Sequence, residues 1–165
     1  MPDAMIAGIL RSWQYQRDYA VKLVADLSDA DMVSQPVPGI VMNHPAWVYG
    51  HCGIYPPVLA AMLEGRSFED PIKHRYGRDS RPTSNPGDYP AKDALVAEFL
   101  RGHDQLARVL GSVDPTVLAR PIPLERWKQR FPTIADAVAH LMLEHEAGHL
   151  GQVSAWRRAG RRPPV

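Results

Sequence analysis

Glu144-His145-Glu146-Ala147-Gly148-His149-Leu150-Gly151-Gln152 places two histidines four residues apart near the end of the chain. In a helix of about 3.6 residues per turn, positions i and i+4 lie ~40° apart with Cβ atoms roughly 6 Å apart, so both imidazoles project from one face. Two ring nitrogens can then reach one ion at about 2 Å without bending the backbone. The same letters spell H-E-x-x-H, the zinc-protease signature, so the stretch has two chemical readings.

Its flanks make it a helix. Thr133-Ile134-Ala135-Asp136 is a capping-box pattern, and Gly160 followed by Pro163 and Pro164 closes the segment. The inward stripe runs Ile134, Val138, Leu141, Met142, His145, His149, Gln152, Val153 and Trp156. Both histidines therefore lie on an apolar face, where an unsatisfied polar group costs about 1 to 3 kcal/mol. A lone buried histidine is ordinarily a hydrogen-bonded packing residue, whereas a pair at this spacing favours a metal. His140, five residues before His145, falls roughly 140° around the axis and is set aside as a ligand to the same ion. Gln152 either orients a ligand or satisfies the helix end.

A protease of the H-E-x-x-H type needs a third ligand, commonly downstream. The 16 residues after His149 contain no His, Asp, Glu or Cys, and Gln152 and Ala155 stand where the extended motif has glycine and histidine. An upstream helix is the better source. The apolar spacing upstream predicts three further helices. One runs from about Met5 to Leu27 with Asp3 as its cap, one from Asn43 as cap to Leu63, and one from about Pro90 to Leu110. Ser28 to Met42 is a connector, Gly65 is a candidate left-handed terminator, and Pro56 and Pro57 predict a kink or break in the second helix. Glu64 to Tyr89 forms a long crossover of roughly 25 residues, enough to carry the chain back to the other end of a bundle. A proline-spaced stretch, Asp114 to Pro132, precedes the last helix.

The second helix carries His44 and His51. In an antiparallel pairing with the last helix, His51 lies roughly 10 Å from its starting end and His149 about 17 Å from the finishing end of the other, at similar depth. His44 falls at the mouth, as a cap or surface group. Cys52 points ~100° away from His51 and reads as core. His103 sits on an apolar face as a hydrogen-bonded core residue or a fourth ligand, and His74 is a loop residue.

The chain fits one domain spanning residues 1–165. Lys plus Arg number 19 against 18 for Asp plus Glu, which provides no global field for nucleic acid or an anionic membrane. Arg157, Arg158, Arg161 and Arg162 crowd the C-terminus, where solvated cations complement the last carbonyls. With no membrane-length apolar stretch, no signal-like start and one cysteine, a soluble cytoplasmic protein is expected.

Trp47-Val48-Tyr49-Gly50-His51 together with His145-Glu146-Ala147-Gly148-His149-Leu150-Gly151-Gln152 resembles the DinB/YfiT-like superfamily of metal-binding four-helix bundles. The resemblance implies an all-α, up-down-down-up four-helix bundle with the long crossover between helices 2 and 3. It also implies a divalent metal held by His51, His145 and His149. Characterised members include transferases and an isomerase that act with low-molecular-weight thiols. An arginine is common in the family where this chain has Leu150.

Three neutral imidazoles suit Zn, Ni or Fe with open positions, as in catalytic sites. The expectation is a metal-dependent hydrolase or thiol transferase acting on a small-molecule substrate, with a low-molecular-weight thiol as co-substrate and a homodimer as its assembly. No acid or base is assigned, because Glu144 and Glu146 project sideways. The competing class is a non-catalytic bundle with a structural metal or a ligand-binding or dimerising role; the zinc protease is the third reading.

Overall fold

A computed structural model describes residues 4–165 of the protein. Regular structure among them is helical, apart from one isolated antiparallel bridge between Pro121 and Thr133. Asp3, the expected first cap, lies outside the described residues. α1 spans Ala4–Val24, α2 Asp29–Met32, α3 Pro45–Leu63, α4 Lys92–Ser112 and α5 Pro115–Leu118. The C-terminal run comprises α6, Ile134–Ala139, a π-helical segment, His140–His145, and α7, Glu146–Ala159.

Local chemistry explains most boundaries. Thr133 and Asp136 form the expected capping box, and Ser28 and Asp31 form another that starts α2 inside the first connector. α3 is capped by His44 rather than Asn43: with Pro45 at the first helical position, the His44 ring Nδ1 accepts the Trp47 N–H at 3.3 Å. Asn43 is thereby released, and its side-chain amide reaches Gln152 at 3.0 Å. Past the end of α3, Gly65 takes a left-handed φ of 67°.

The proline pair does not break α3, which is helical from Pro45 to Leu63. Pro56 and Pro57 cannot donate to the carbonyls one turn back. The helix is held instead by packing along α4, where Gly102 lies so close that an added Cβ would sit 3.4–3.5 Å from Pro56, Pro57 and the Gly53 carbonyl.

α1 packs against α4 and α7, and α3 against α4 and α7. Trp13 donates to the His103 carbonyl at 3.1 Å and Lys92 to the Val24 carbonyl at 3.4 Å, tying α4 to α1. Gln16 donates to the Met142 carbonyl at 2.6 Å and Arg157 to the Leu23 carbonyl at 2.9 Å, tying the C-terminal run to α1. The apolar interior has two parts, one around Trp13, Leu59, Leu106 and Met142, the other around Leu23, Tyr49, Phe99 and Trp156. His51 stands between Trp47 and Tyr55, which belong to different parts, and His145 and His149 stand between Met142 and Leu150. The histidines thus fall where the two meet.

The C-terminal arginines differ from a uniformly solvated cluster. Arg157 is buried, and its guanidinium grips the Asp26 carboxylate at 2.6 and 3.0 Å, which holds that acid below the usual range. Arg162 pairs with Asp31, while Arg158 and Arg161 remain exposed. Among the described residues, no helix is long and apolar enough to cross a membrane.

Candidate metal centre

Three elements each deliver one imidazole to a common point: α3 contributes His51, the π segment His145, and α7 His149. One ring nitrogen from each lies within 4.8 Å of the others, and His51 Nε2 is 3.1 Å from His145 Nε2. Ring centroids are 4.6–5.0 Å apart.

Two of the rings are fixed from behind. His51 Nδ1 donates to the Tyr76 carbonyl at 2.7 Å, and its ring stacks on Trp47 at 4.7 Å between centroids. A carbonyl only accepts, so the proton sits on Nδ1 and His51 Nε2 presents a bare lone pair. Tyr76 can come this near because position 50 is glycine; a Cβ there would lie 2.5–2.7 Å from the Tyr76 ring. His149 Nδ1 donates to Gln152 Oε1 at 3.0 Å, the oxygen that also receives the Asn43 amide. Its Nε2 is likewise left free.

Burial pushes all three rings toward the neutral form that binds metals. His51 is lowered to about 4 by desolvation, opposed by the Tyr76 carbonyl. His145 is lowered to about 3 by desolvation and by its histidine neighbours, and His149 is lowered by desolvation against the Gln152 hydrogen bond. With His51 Nε2 unprotonated, the 3.1 Å gap to His145 Nε2 must hold a proton or a cation. Ligand bonds of 2.0–2.1 Å about a tetrahedral ion separate nitrogens by ~3.3 Å, so the donor set fits a divalent transition metal.

The other histidines take other work. His103, 1% exposed, bonds Glu146 Oε1 at 2.7 Å and stacks on Trp13 at 3.6 Å, so it is a core residue and not a fourth ligand. Burial raises the Glu146 carboxyl well above its ordinary range and lowers His103 to about 3. Glu146, the residue an H-E-x-x-H protease would use as base, is therefore committed to α4. His44 caps α3 and meets the Thr83 carbonyl at 2.8 Å, Cys52 is buried packing, and His74 is an exposed loop residue.

Regular α-helical winding misplaced one histidine. In the π segment the hydrogen bonds run from i to i+5 and the winding is looser than in an α-helix, so His140 comes round to the His145 side, with centroids 5.8 Å apart, and lines the same cleft. Its Nδ1 bonds Glu144 at 2.6 Å, which lowers the Glu144 carboxyl. It stays outside the group of three close nitrogens. The sequence carries no local sign of the π turn.

The three histidines open onto a cleft of about 410 Å³. Trp47, Tyr55, Trp127 and Phe131 give it aromatic walls, and Arg78, Arg126 and Arg130 bring guanidinium groups. These arginines and two of the aromatics come from the crossover and the 114–132 connector, segments whose sequence carries no readable motif. Arg126 is locked by Asp70 through two hydrogen bonds of 2.7 Å.

The protein is helical, and its three clustered imidazoles form a group that could hold a metal ion beside an open cleft. The family model for the DinB superfamily matches residues 12–153, and the chain belongs to that superfamily. No curated protein and no solved structure matches it.

Proposed function

We propose that the protein is a metal-dependent enzyme of the hydrolase or thiol-transferase kind, with one Zn, Ni or Fe ion held by His51, His145 and His149. The observation that carries this reading is the convergence of three imidazoles with no acidic partner among the described residues, two of them oriented from behind so that Nε2 is free. When bound, such an ion supplies Lewis acidity that polarises a substrate or ionises a water or thiol near neutral pH. The chain's residues hold the rings neutral, fix their tautomers and leave one side open. A cleft of about 410 Å³ suits a small-molecule substrate, in line with a low-molecular-weight thiol as co-substrate.

The frame we propose is a single-domain, up-down-down-up four-helix bundle. Its support lies in the order of paired residues. Along α1, contacts to α4 run from Trp13–His103 to Val24–Lys92, in opposite senses, and contacts to the C-terminal run go from Gln16–Met142 to Leu23–Arg157, in the same sense. α3 and the C-terminal run pair in opposite senses through Asn43–Gln152 and His51–His145.

Metal analysis of protein purified without added metal tests the site. Wild type is expected to carry about one divalent transition ion per chain and His149→Ala close to none; equal content in both removes the site. A panel of thiols and electrophiles, assayed with and without chelator, then separates enzyme from structural metal protein. Turnover that dies with chelation and returns with one ion supports the enzyme, and chelation that only lowers the melting temperature supports the structural role.

A further inference from the structure

The charge around the cleft differs from that of the chain as a whole. Overall, 19 basic residues face 18 acidic ones. Among the described residues the cleft is lined by Arg78, Arg126 and Arg130 and by no carboxylate. The two acids tied to its wall are already engaged, Asp70 by both arms of Arg126 and Glu144 by His140. Arg126 is thus neutralised in place, with its planar fork closed. Arg78 and Arg130 are exposed, and neither forms an ion pair or side-chain hydrogen bond among the described residues. Arg130 lies over the Phe131 ring at 5.2 Å, which leaves its donors free.

These two guanidiniums come from separate segments, the crossover and the 114–132 connector, and the fold brings both to the lining of one cleft with aromatic walls. A planar five-donor fork matches a carboxylate or phosphate edge, and flat aromatic walls match a planar apolar body. We propose that the substrate of this cleft is a small organic anion with a planar, apolar body, its carboxylate or phosphate held by Arg78 and Arg130. The inference deepens the active-site reading above by naming the substrate class, and it rests on that reading.

Calorimetric titration with benzoate, phenyl phosphate and neutral benzamide tests it, on metal-loaded protein and again on chelator-stripped protein. One or both anions are expected to bind at least about tenfold tighter than benzamide, the scale of one charge-assisted hydrogen bond. Whichever anion binds tighter identifies the carboxylate or phosphate source. Arg78→Gln/Arg130→Gln is expected to erase that preference in the stripped protein and to reduce it in the metal-loaded protein, where the ion itself attracts anions, while leaving metal content and melting temperature at wild-type values. Each single variant, made at an exposed position, gives a partial loss should the double variant fold poorly. Benzamide binding as tightly as the anions, or anion binding untouched by the double variant, overturns the proposal. Because the stripped protein is titrated too, an arginine-dependent preference without metal content in any sample would sink the metal reading and keep this one.

Discussion

His103 and His51 are buried to nearly the same degree, 1% and 4% exposed, yet their surroundings lead to opposite chemistry. His103 has a carboxyl group 2.7 Å from Nε2 and an indole stacked on its face, so its polar edge is spent within the protein. His51 has a carbonyl behind Nδ1, an indole on its face, and only other imidazoles before Nε2. Both stack on a tryptophan, so packing does not distinguish them. The distinguishing group is the acid: Glu146 removes one histidine from ligand chemistry, and among the described residues no acid joins the other three.

Acid breaks the open site with the largest effect. His51 and His145 are held at about 4 and about 3, below the ordinary imidazole value, so the unfolded chain takes up protons first as pH falls. Their contribution to stability is complete above about pH 6.5 and is lost as pH drops toward 4, with metal release in the same window. Melting temperatures from about pH 7 to 4 in chelator should show this slope as the difference between wild type and His51→Ala. That difference is needed because Glu146, raised by burial, contributes with the opposite sign, losing stability as pH rises above its unfolded value. Parallel curves for the two proteins would contradict the assignment.

Glu146→Leu breaks the closed site. It strands a buried imidazole at a cost of about 3 kcal/mol, between an unsatisfied polar group and a broken buried pair. The melting temperature should fall by roughly 6–12 °C with metal content unchanged. Glu146→Gln, which keeps a hydrogen bond to His103, should recover most of the loss. A Glu146→Leu protein that melts like wild type would remove the structural role of the pair.

Gln152→Ala sharpens the comparison with the smallest effect. It takes the acceptor from behind His149 and should weaken metal affinity by about tenfold, with stability changed by no more than ~0.5 kcal/mol. Competition titration against a chromophoric chelator measures the first and thermal melts the second; unchanged affinity would make Gln152 a mere end-cap.

The helical character and the His145–His149 pair were legible because both depend on local spacing, whereas His51, 94 positions before His145, was reached through an antiparallel pairing of two helices and the family resemblance, and the structure brings it to the pair. Apolar periodicity, Thr133 and Gly65 each act within one turn. The shift of the α3 cap to His44 was not, because an imidazole substituting for a capping amide depends on Pro45 fixing the first turn. The continuity of α3 through Pro56 and Pro57 depends on α4 approaching at Gly102, a contact between residues far apart in the chain. Arg157 reads as a solvated cation until Asp26, 131 positions away, is brought against it. For the same reason the cleft's arginines were silent: their meaning lies in where two loops end up, not in what surrounds them in the chain.

The π segment has a mechanical consequence for the last helix. An uninterrupted α-helix would lock the phase of its packing residues, Ile134, Val138 and Leu141, to that of His149. Winding one additional residue into His140–His145 works as a gearing step, letting the upstream half seat in the core at one angle while the downstream half aims its donors at another. Loss of a single residue from this stretch would make the helix more regular and rotate the two halves out of step by about 100°, so that either the interior or the histidine cluster fits, but not both.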